Sequence, residues 1–217
     1  VYISPIVIDT VQTDRGEVQL QQRGSDYEVI SNGTFLMATY NGESERLLVR
    51  AAIKEAPEPK RVLIGGLGVG ISLAETLSYS FINDVTVVEI EENIIKWNKT
   101  YLAAYSSHSL EDPRTSIVHA DFTKWMYETQ GTYDAICLDI DNGPDWTVVD
   151  SNNALYEKNS LHVLASLLSD RGVLTFWSAT ASPDFVARLQ ENFLHVKELQ
   201  VPMERGEPDY IFIAMNH

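Results

Sequence analysis

Cysteine is almost absent from this sequence. The single Cys137 has no partner for an internal disulfide, and its place in the apolar run YDAICLDI suits a small buried hydrophobe, not a nucleophile. Basic residues are scarce as well: 16 lysines and arginines against 31 aspartates and glutamates leave a net charge of −15. That balance opposes tight nonspecific binding to nucleic acid, because such affinity comes from lysine and arginine displacing counterions. The same acidity could draw a cationic substrate into a cleft, or serve solubility alone. No apolar run approaches the ~20 residues that span a bilayer. Val1 is not followed by the basic and apolar segments of a secretory signal. A soluble, cytosolic chain with neither membrane nor nucleic acid as partner is expected. Histidines are few, and His108, His119, His162 and His195 are scattered without the spacing of a metal site or a nucleophile dyad, so no metal is expected.

The 217 residues, 44% hydrophobic and 22% charged, suit one main globular domain with a small appendage. Residues 1–42 hold the short β-prone runs IVIDTV, EVQLQQ, YEVIS and TFLMAT, separated by turn signals at 14–16, 23–25 and 31–33. They predict a small antiparallel β region. From Glu43 to Ala56, Leu47, Leu48, Ala51 and Ala52 recur at helical spacing until Pro57 and Pro59 forbid continuation. Residues 43–217 then read as a Rossmann-like domain. RVLIGG, VTVVEI, TSIVHA, YDAICLDI, GVLTFWS and YIFIAM are apolar runs fit for strands buried on both faces, and helix-like segments alternate with them. Ser182-Pro183 marks a helix start, and Asp170-Arg171-Gly172 a turn from helix into strand.

The chemistry begins at RVLIGGLGVG, where an apolar strand runs into Gly65, Gly66, Gly68 and Gly70 before a helix. Glycines there let a cofactor approach the backbone at the carboxyl end of the strand, or serve only close strand and helix packing. Glu89 ends the next strand about 20 residues on, where an acid can accept both ribose hydroxyls of a nucleotide. No lysine follows the glycines, which excludes a phosphate-cradling loop of the GK type. Asp121 follows the third strand and either accepts the exocyclic amine of an adenine, with Ile90 or Phe122 against the ring, or caps the helix starting at Phe122. In LDIDNGPDW, Asp139 and Asp141 alternate about Ile140 and would share one face of an extended chain, with Asp145 and Asp150 beyond. Such carboxylates could hold an amine and take its proton, or simply build a turn rich in Asp, Asn, Gly and Pro; a metal is a weaker reading without histidine. Trp97, Trp125, Trp146 and Trp177 read as packing residues, Trp146 with a second role as wall of a substrate slot.

The succession VLIGGLGVG, VVEIEENIIKW, ADFTKWM, LDIDNGP and ALYEKNSLHVL resembles the spermidine synthase family, over nearly the whole chain and most closely its short bacterial members. The resemblance implies a class I methyltransferase sheet, mostly parallel with an antiparallel C-terminal strand, behind a small β domain. It implies cofactor roles for the glycine loop, Glu89 and Asp121, catalysis by Asp139 with Asp141 beside it, and a pocket contribution from Tyr156. S-adenosylmethionine or its decarboxylated form is the implied cofactor, and a small cationic acceptor the implied partner. A homodimer is one assembly open to it. Two departures bear on the transferred group. Gly68 stands where aminopropyltransferases carry an aspartate for the donor amine, and GESERLLVRAA lacks their tyrosine and histidine. Together they move the expectation toward methyl transfer, and Gly68 by itself implies no strong preference for the decarboxylated donor. Aminopropyl transfer is the alternative, a noncatalytic nucleotide-binding module the second, and a dehydrogenase a weaker third.

Overall fold

A computed structural model describes residues 3–147, 150–203 and 206–217 of the chain. The first 38 residues hold a four-stranded antiparallel meander of β1 (Ile6–Thr13), β2 (Gly16–Arg23), β3 (Asp26–Ser31) and β4 (Thr34–Ala38), joined by two-residue turns at the expected places. Helix α1 (Glu43–Glu55) follows, and Ala56 is extended ahead of Pro57 as the proline demands.

The rest is an alternation of β5 (Arg61–Gly65), α2 (Ile71–Leu77), β6 (Asp84–Glu89), α3 (Glu92–Asn98), β7 (Thr115–His119), α4 (Phe122–Trp125), β8 (Tyr133–Leu138), α5 (Lys158–Ser166), β9 (Leu168–Ser178), α6 (Pro183–Asn192), β10 (His195–Val201) and β11 (Asp209–Met215). Spatial order in the second sheet is β10-β11-β9-β8-β5-β6-β7. Strands β5 to β9 are parallel, β11 is antiparallel to β9, and β10 is antiparallel to β11. The mostly parallel α/β sheet is therefore the one the apolar runs announced. Alternate residues of the central strands enter two separate cores, Val62, Ile64 and Cys137 in one and Leu63, Ile136 and Leu138 in the other. That double burial explains why these strands read as continuous apolar runs.

Helix α1 lies across β8, β9 and β11 and beside α2. Val18, Leu20 and Val29 of the small sheet join the same apolar cluster. Two polar tethers add to this contact: Trp97 Nε1 donates to Asp9 Oδ2 (2.9 Å), and Arg15 reaches Glu91. Ser182 caps α6 through Phe185 N, with Pro183 in the first turn.

Strand β10 went unforeseen because its residues are mostly exposed, as befits an edge strand carrying Lys197 and Glu198. Strand β9 also starts earlier than the turn at 170–172 suggested; the pairing with β8 is irregular there and resumes at Ala135 and Val173. Among the described residues no helix is long and apolar enough to cross a membrane.

Candidate functional site

The chain turns from β5 toward β6 and β7 on one side of the sheet and returns to β8 on the other, so the carboxyl ends of β5 and β8 flank a topological switch point. A cavity of about 570 Å³ opens there, roofed by Val18, Phe35 and Met37 of the small sheet. Its floor is the glycine loop. Gly66 N donates to Val88 O (2.9 Å), Asp139 N donates to Gly65 O (2.9 Å), and Asn98 Nδ2 donates to Gly68 O (2.8 Å), which accounts for the Trp97-Asn98 pair in the sequence. Gly66 and Gly68 line the cavity, whereas Gly65 and Gly70 do not. Their task is packing: a Cβ on Gly65 would meet Leu138 at 2.7 Å, and one on Gly70 would meet Ser106 at 2.5 Å. A Cβ on Gly68 would meet Met37 Sδ at 3.0 Å, so the thioether of β4 occupies the space beside this loop position.

Glu89 is 7% exposed at the tip of β6 and lines the cavity. Its Oε2 accepts from Leu67 N (2.8 Å) and its Oε1 from Glu91 N (2.7 Å), so the carboxylate fixes the glycine loop while keeping lone pairs for a ligand. Burial raises its pKa, and these backbone bonds oppose the rise. Arg15, which the sequence did not single out, closes this end: Nε donates to Glu91 Oε1 (2.8 Å) and Nη2 to Ile90 O (3.2 Å). Ile90 and Phe122 line the cavity as expected. Asp121 does cap α4, its Oδ1 accepting from Thr123 N (3.0 Å) and Thr123 Oγ1 (2.7 Å), while Lys124 Nζ lies 3.2 Å from Oδ2. Burial works against its ionisation, but these bonds hold its pKa below the usual value.

If this carboxylate receives a ribose, as the sequence implies, Glu89→Ala is expected to weaken nucleoside binding by about 1–3 kcal/mol, the scale of hydrogen bonds to a charged group. Calorimetry on the folded variant checks this, and wild-type affinity would remove Glu89 from the ribose.

At the other end Asp139 reaches the cavity while protein encloses it elsewhere. Burial raises its pKa well above the usual carboxylate range, and Glu45, Asp209 and Glu89 add repulsion. Burial likewise raises Glu45, with a contribution from Asp209, and raises Asp209 itself. Glu45 and Asp209, missed in the sequence, come from α1 and the start of β11, far from any recognisable motif. Among the described residues no group of three or more His, Cys, Asp or Glu is arranged to hold a metal ion.

Three expectations need correction. Asp141 does not share an extended face with Asp139: its backbone turns left-handed (φ 68°) immediately after the strand. Its Oδ1 accepts from Asn142 N (2.9 Å) and its Oδ2 from Asn152 Nδ2 (2.7 Å), so it organises the loop as it lines the cavity. Tyr156 is not a pocket residue. It is 2% exposed, packs against Phe176 and Phe185, and donates to Ile140 O (2.9 Å), holding the loop after β8 from below. Asp145 is exposed and outside the cavity lining, as is Asp150, whereas Trp146 does form part of the wall. Trp177, expected only to pack, lines the cavity too.

Residues 43–198 match the family model described as the spermine/spermidine synthase domain. The chain belongs to the spermine/spermidine synthase family. A polyamine aminopropyltransferase of Saccharolobus islandicus (strain L.S.2.15 / Lassen #1) is 36% identical over 141 residues, 64% of this chain and 45% of the relative. One from Prochlorococcus marinus (strain AS9601) is 28% identical over 169 residues, 77% of this chain and 56% of the relative. The chain thus spans about half the length of these family members. A spermidine synthase crystallised with the transition-state analogue AdoDATO shares the fold, with a TM-score of 0.84 at 19% identity over 97% of this chain and 74% of that one. The Thermotoga maritima spermidine synthase does so with a TM-score of 0.81 at 19% identity, over 97% and 73%. The names of the two curated relatives carry aminopropyl transfer, the alternative expected from the sequence, and not the methyl transfer that Gly68 and the missing tyrosine and histidine suggested.

Proposed function

We propose that this chain transfers an aminopropyl group from decarboxylated S-adenosylmethionine to a small amine. Family membership supports the reaction class, and one observation favours the decarboxylated donor over the parent. The only cations lining the cavity among the described residues are Arg15 and Lys124, held by Glu91 and Asp121 at the end assigned to adenosine. Among the described residues, the charged neighbours that act on Asp139 are carboxylates. The α-carboxylate of S-adenosylmethionine would meet repulsion without a compensating ion pair, whereas a donor carrying only sulfonium and ammonium meets attraction. The expectation of an indifferent donor preference, based on Gly68 alone, gives way to this charge argument.

In the proposed reaction Glu89 receives the ribose hydroxyls, and Asp121 and Phe122 stand at the adenine. The acceptor nitrogen, as a neutral amine, attacks the propyl carbon bound to sulfur. The carbon–nitrogen bond forms as the carbon–sulfur bond breaks, the electron pair passes to sulfur, and methylthioadenosine leaves as a neutral thioether. Asp139 orients the amine and takes the proton it sheds. Burial raises the pKa of this carboxyl, so its carboxylate is a stronger base than that of an exposed aspartate. Binding of the sulfonium offsets the repulsion among the carboxylates and favours ionised Asp139.

Calorimetry with both donors, followed by mass analysis of products from a mixture of simple amines, tests the proposal. The decarboxylated donor is expected to bind more tightly by about tenfold or more, the scale of one charge-assisted contact. Equal affinity, with products heavier by a methyl group, would replace aminopropyl transfer by methyl transfer.

A further inference from the structure

The two-residue turn between β1 and β2 carries Arg15 to the edge of the cavity, and a side chain from the next turn but one fixes its backbone there. Asn32 Nδ2 donates to Arg15 O (3.1 Å), and Asn32 Oδ1 accepts from Glu17 N (2.9 Å). A long side chain thus starts from a held point. Its guanidinium fork reaches across to a single peptide of the main domain, Nη2 donating to Ile90 O (3.2 Å) and Nε to the Glu91 carboxylate (2.8 Å). His119 Nε2 lies 3.0 Å from the same carbonyl oxygen, so Ile90 O is gripped from two sides.

The other end of that peptide is the Glu91 N–H, which donates to Glu89 Oε1 (2.7 Å). In a planar trans peptide the C=O and N–H point in opposite directions, so a hold on the oxygen sets the aim of the N–H. Arg15 therefore governs one of the two backbone bonds that orient the buried Glu89 carboxylate; the other comes from Leu67 N. Glu91 is also the N-cap of α3. At the far end of that helix Trp97 is bonded to Asp9 of β1, and Asn98 beside it holds Gly68 O. The small sheet grips α3 at both ends, and each end reaches into the nucleoside half of the cavity. The Arg15 side chain is 32% exposed, and an ion pair so open to solvent contributes little to folding stability. Its consequence is one of direction.

We infer that Arg15 is a positioning residue for the nucleoside: from the small sheet it clamps the Ile90–Glu91 peptide that aligns Glu89, and so ties nucleoside affinity to the seating of the β1–β2 turn. The inference rests on the proposed assignment of Glu89 to the ribose. Arg15 lies in an Asp-Arg-Gly turn, outside every motif that marks the cofactor site.

The test is calorimetry with methylthioadenosine on wild type, Arg15→Ala, Arg15→Lys, Glu91→Ala and Arg15→Ala/Glu91→Ala, beside melting curves taken without ligand. Arg15→Ala should bind about tenfold more weakly, the scale of one charge-assisted hydrogen bond, while its ligand-free melting temperature stays close to that of wild type. Arg15→Lys keeps the charge without the fork and should recover only part of the affinity; it carries the test if the alanine variant does not fold. The double variant should lose no more than the larger of the two single losses, because both changes open the same link. Wild-type affinity in the folded Arg15 variants makes Arg15 a structural tie and overturns the inference, as does a double loss equal to the product of the single ones; either result leaves the nucleoside at Glu89. Wild-type protein that does not bind methylthioadenosine removes the nucleoside site, and this inference with it.

Discussion

Asp139→Asn is expected to lower turnover by ~100- to 10,000-fold, the usual contribution of a positioned base, with little change in methylthioadenosine affinity. The substitution preserves size and removes both the charge and the proton acceptor at the end of β8. Its effect on stability should run the opposite way. The folded-state pKa of Asp139 is raised by burial and by Glu45, Asp209 and Glu89. Above the unfolded carboxylate value of about 3.9, the folded protein therefore binds more protons than the unfolded chain, and stability falls as pH rises until the raised value is passed. The asparagine variant escapes that loss. Without ligand it should melt at a higher temperature than wild type near pH 7.5, and the advantage should fade as pH falls toward 4. Single-turnover rates with the true acceptor check the first half, and paired melting curves the second. Equal rates in the two proteins would make Asp139 structural, whatever the melting curves show.

Gly66→Ala should be the most damaging change to the glycine loop. Gly66 has φ +89°, and a Cβ there would lie 2.2 Å from the carbonyl oxygen of Asp139. The clash is with backbone, so no side-chain rotation relieves it. A left-handed alanine costs about 1–2 kcal/mol and overpacking about 1–3 more, so a destabilisation of roughly 2–5 kcal/mol is expected. At ~2–4 °C per kcal/mol for a protein of this size, the melting temperature should fall by several degrees at least. Because the displaced atom belongs to Asp139, cofactor affinity and turnover should fall together. Gly68→Ala is the comparison: it shares the left-handed backbone cost (φ +54°), but its Cβ would meet only the flexible end of Met37, so its loss should be smaller. If Gly66→Ala melts and binds methylthioadenosine like wild type, the close approach of β5 and β8 does not govern this site.

The half of the cavity around the glycine loop was readable from the sequence because it is local. A strand, a glycine turn, a helix and an acid at the next strand tip lie within 30 residues, and each leaves its own mark on the pattern. The two-sided burial of the central strands was equally plain in runs such as VTVVEI and YDAICLDI. The opposite half was not readable, because Glu45, Trp177 and Asp209 meet only through strand order and the lie of α1. Glu45 in GESER reads as an ordinary solvated first-turn acid. Period-two reasoning misplaced Asp141 because the strand ends one residue before Asp139 and a left-handed residue follows. Tyr156 misled for a different reason: a motif carries a residue's position, and here that tyrosine supports the loop from the core side.

Met37 against Gly68 links the small sheet to the glycine loop, two positions 31 residues apart. Aspartate tolerates left-handed backbone better than most residues, so φ +54° at position 68 is a mild obstacle to it. The thioether of Met37 is the greater one. A carboxylate at position 68 would therefore fit more easily beside a smaller residue at 37, so substitutions at the two positions should not add independently.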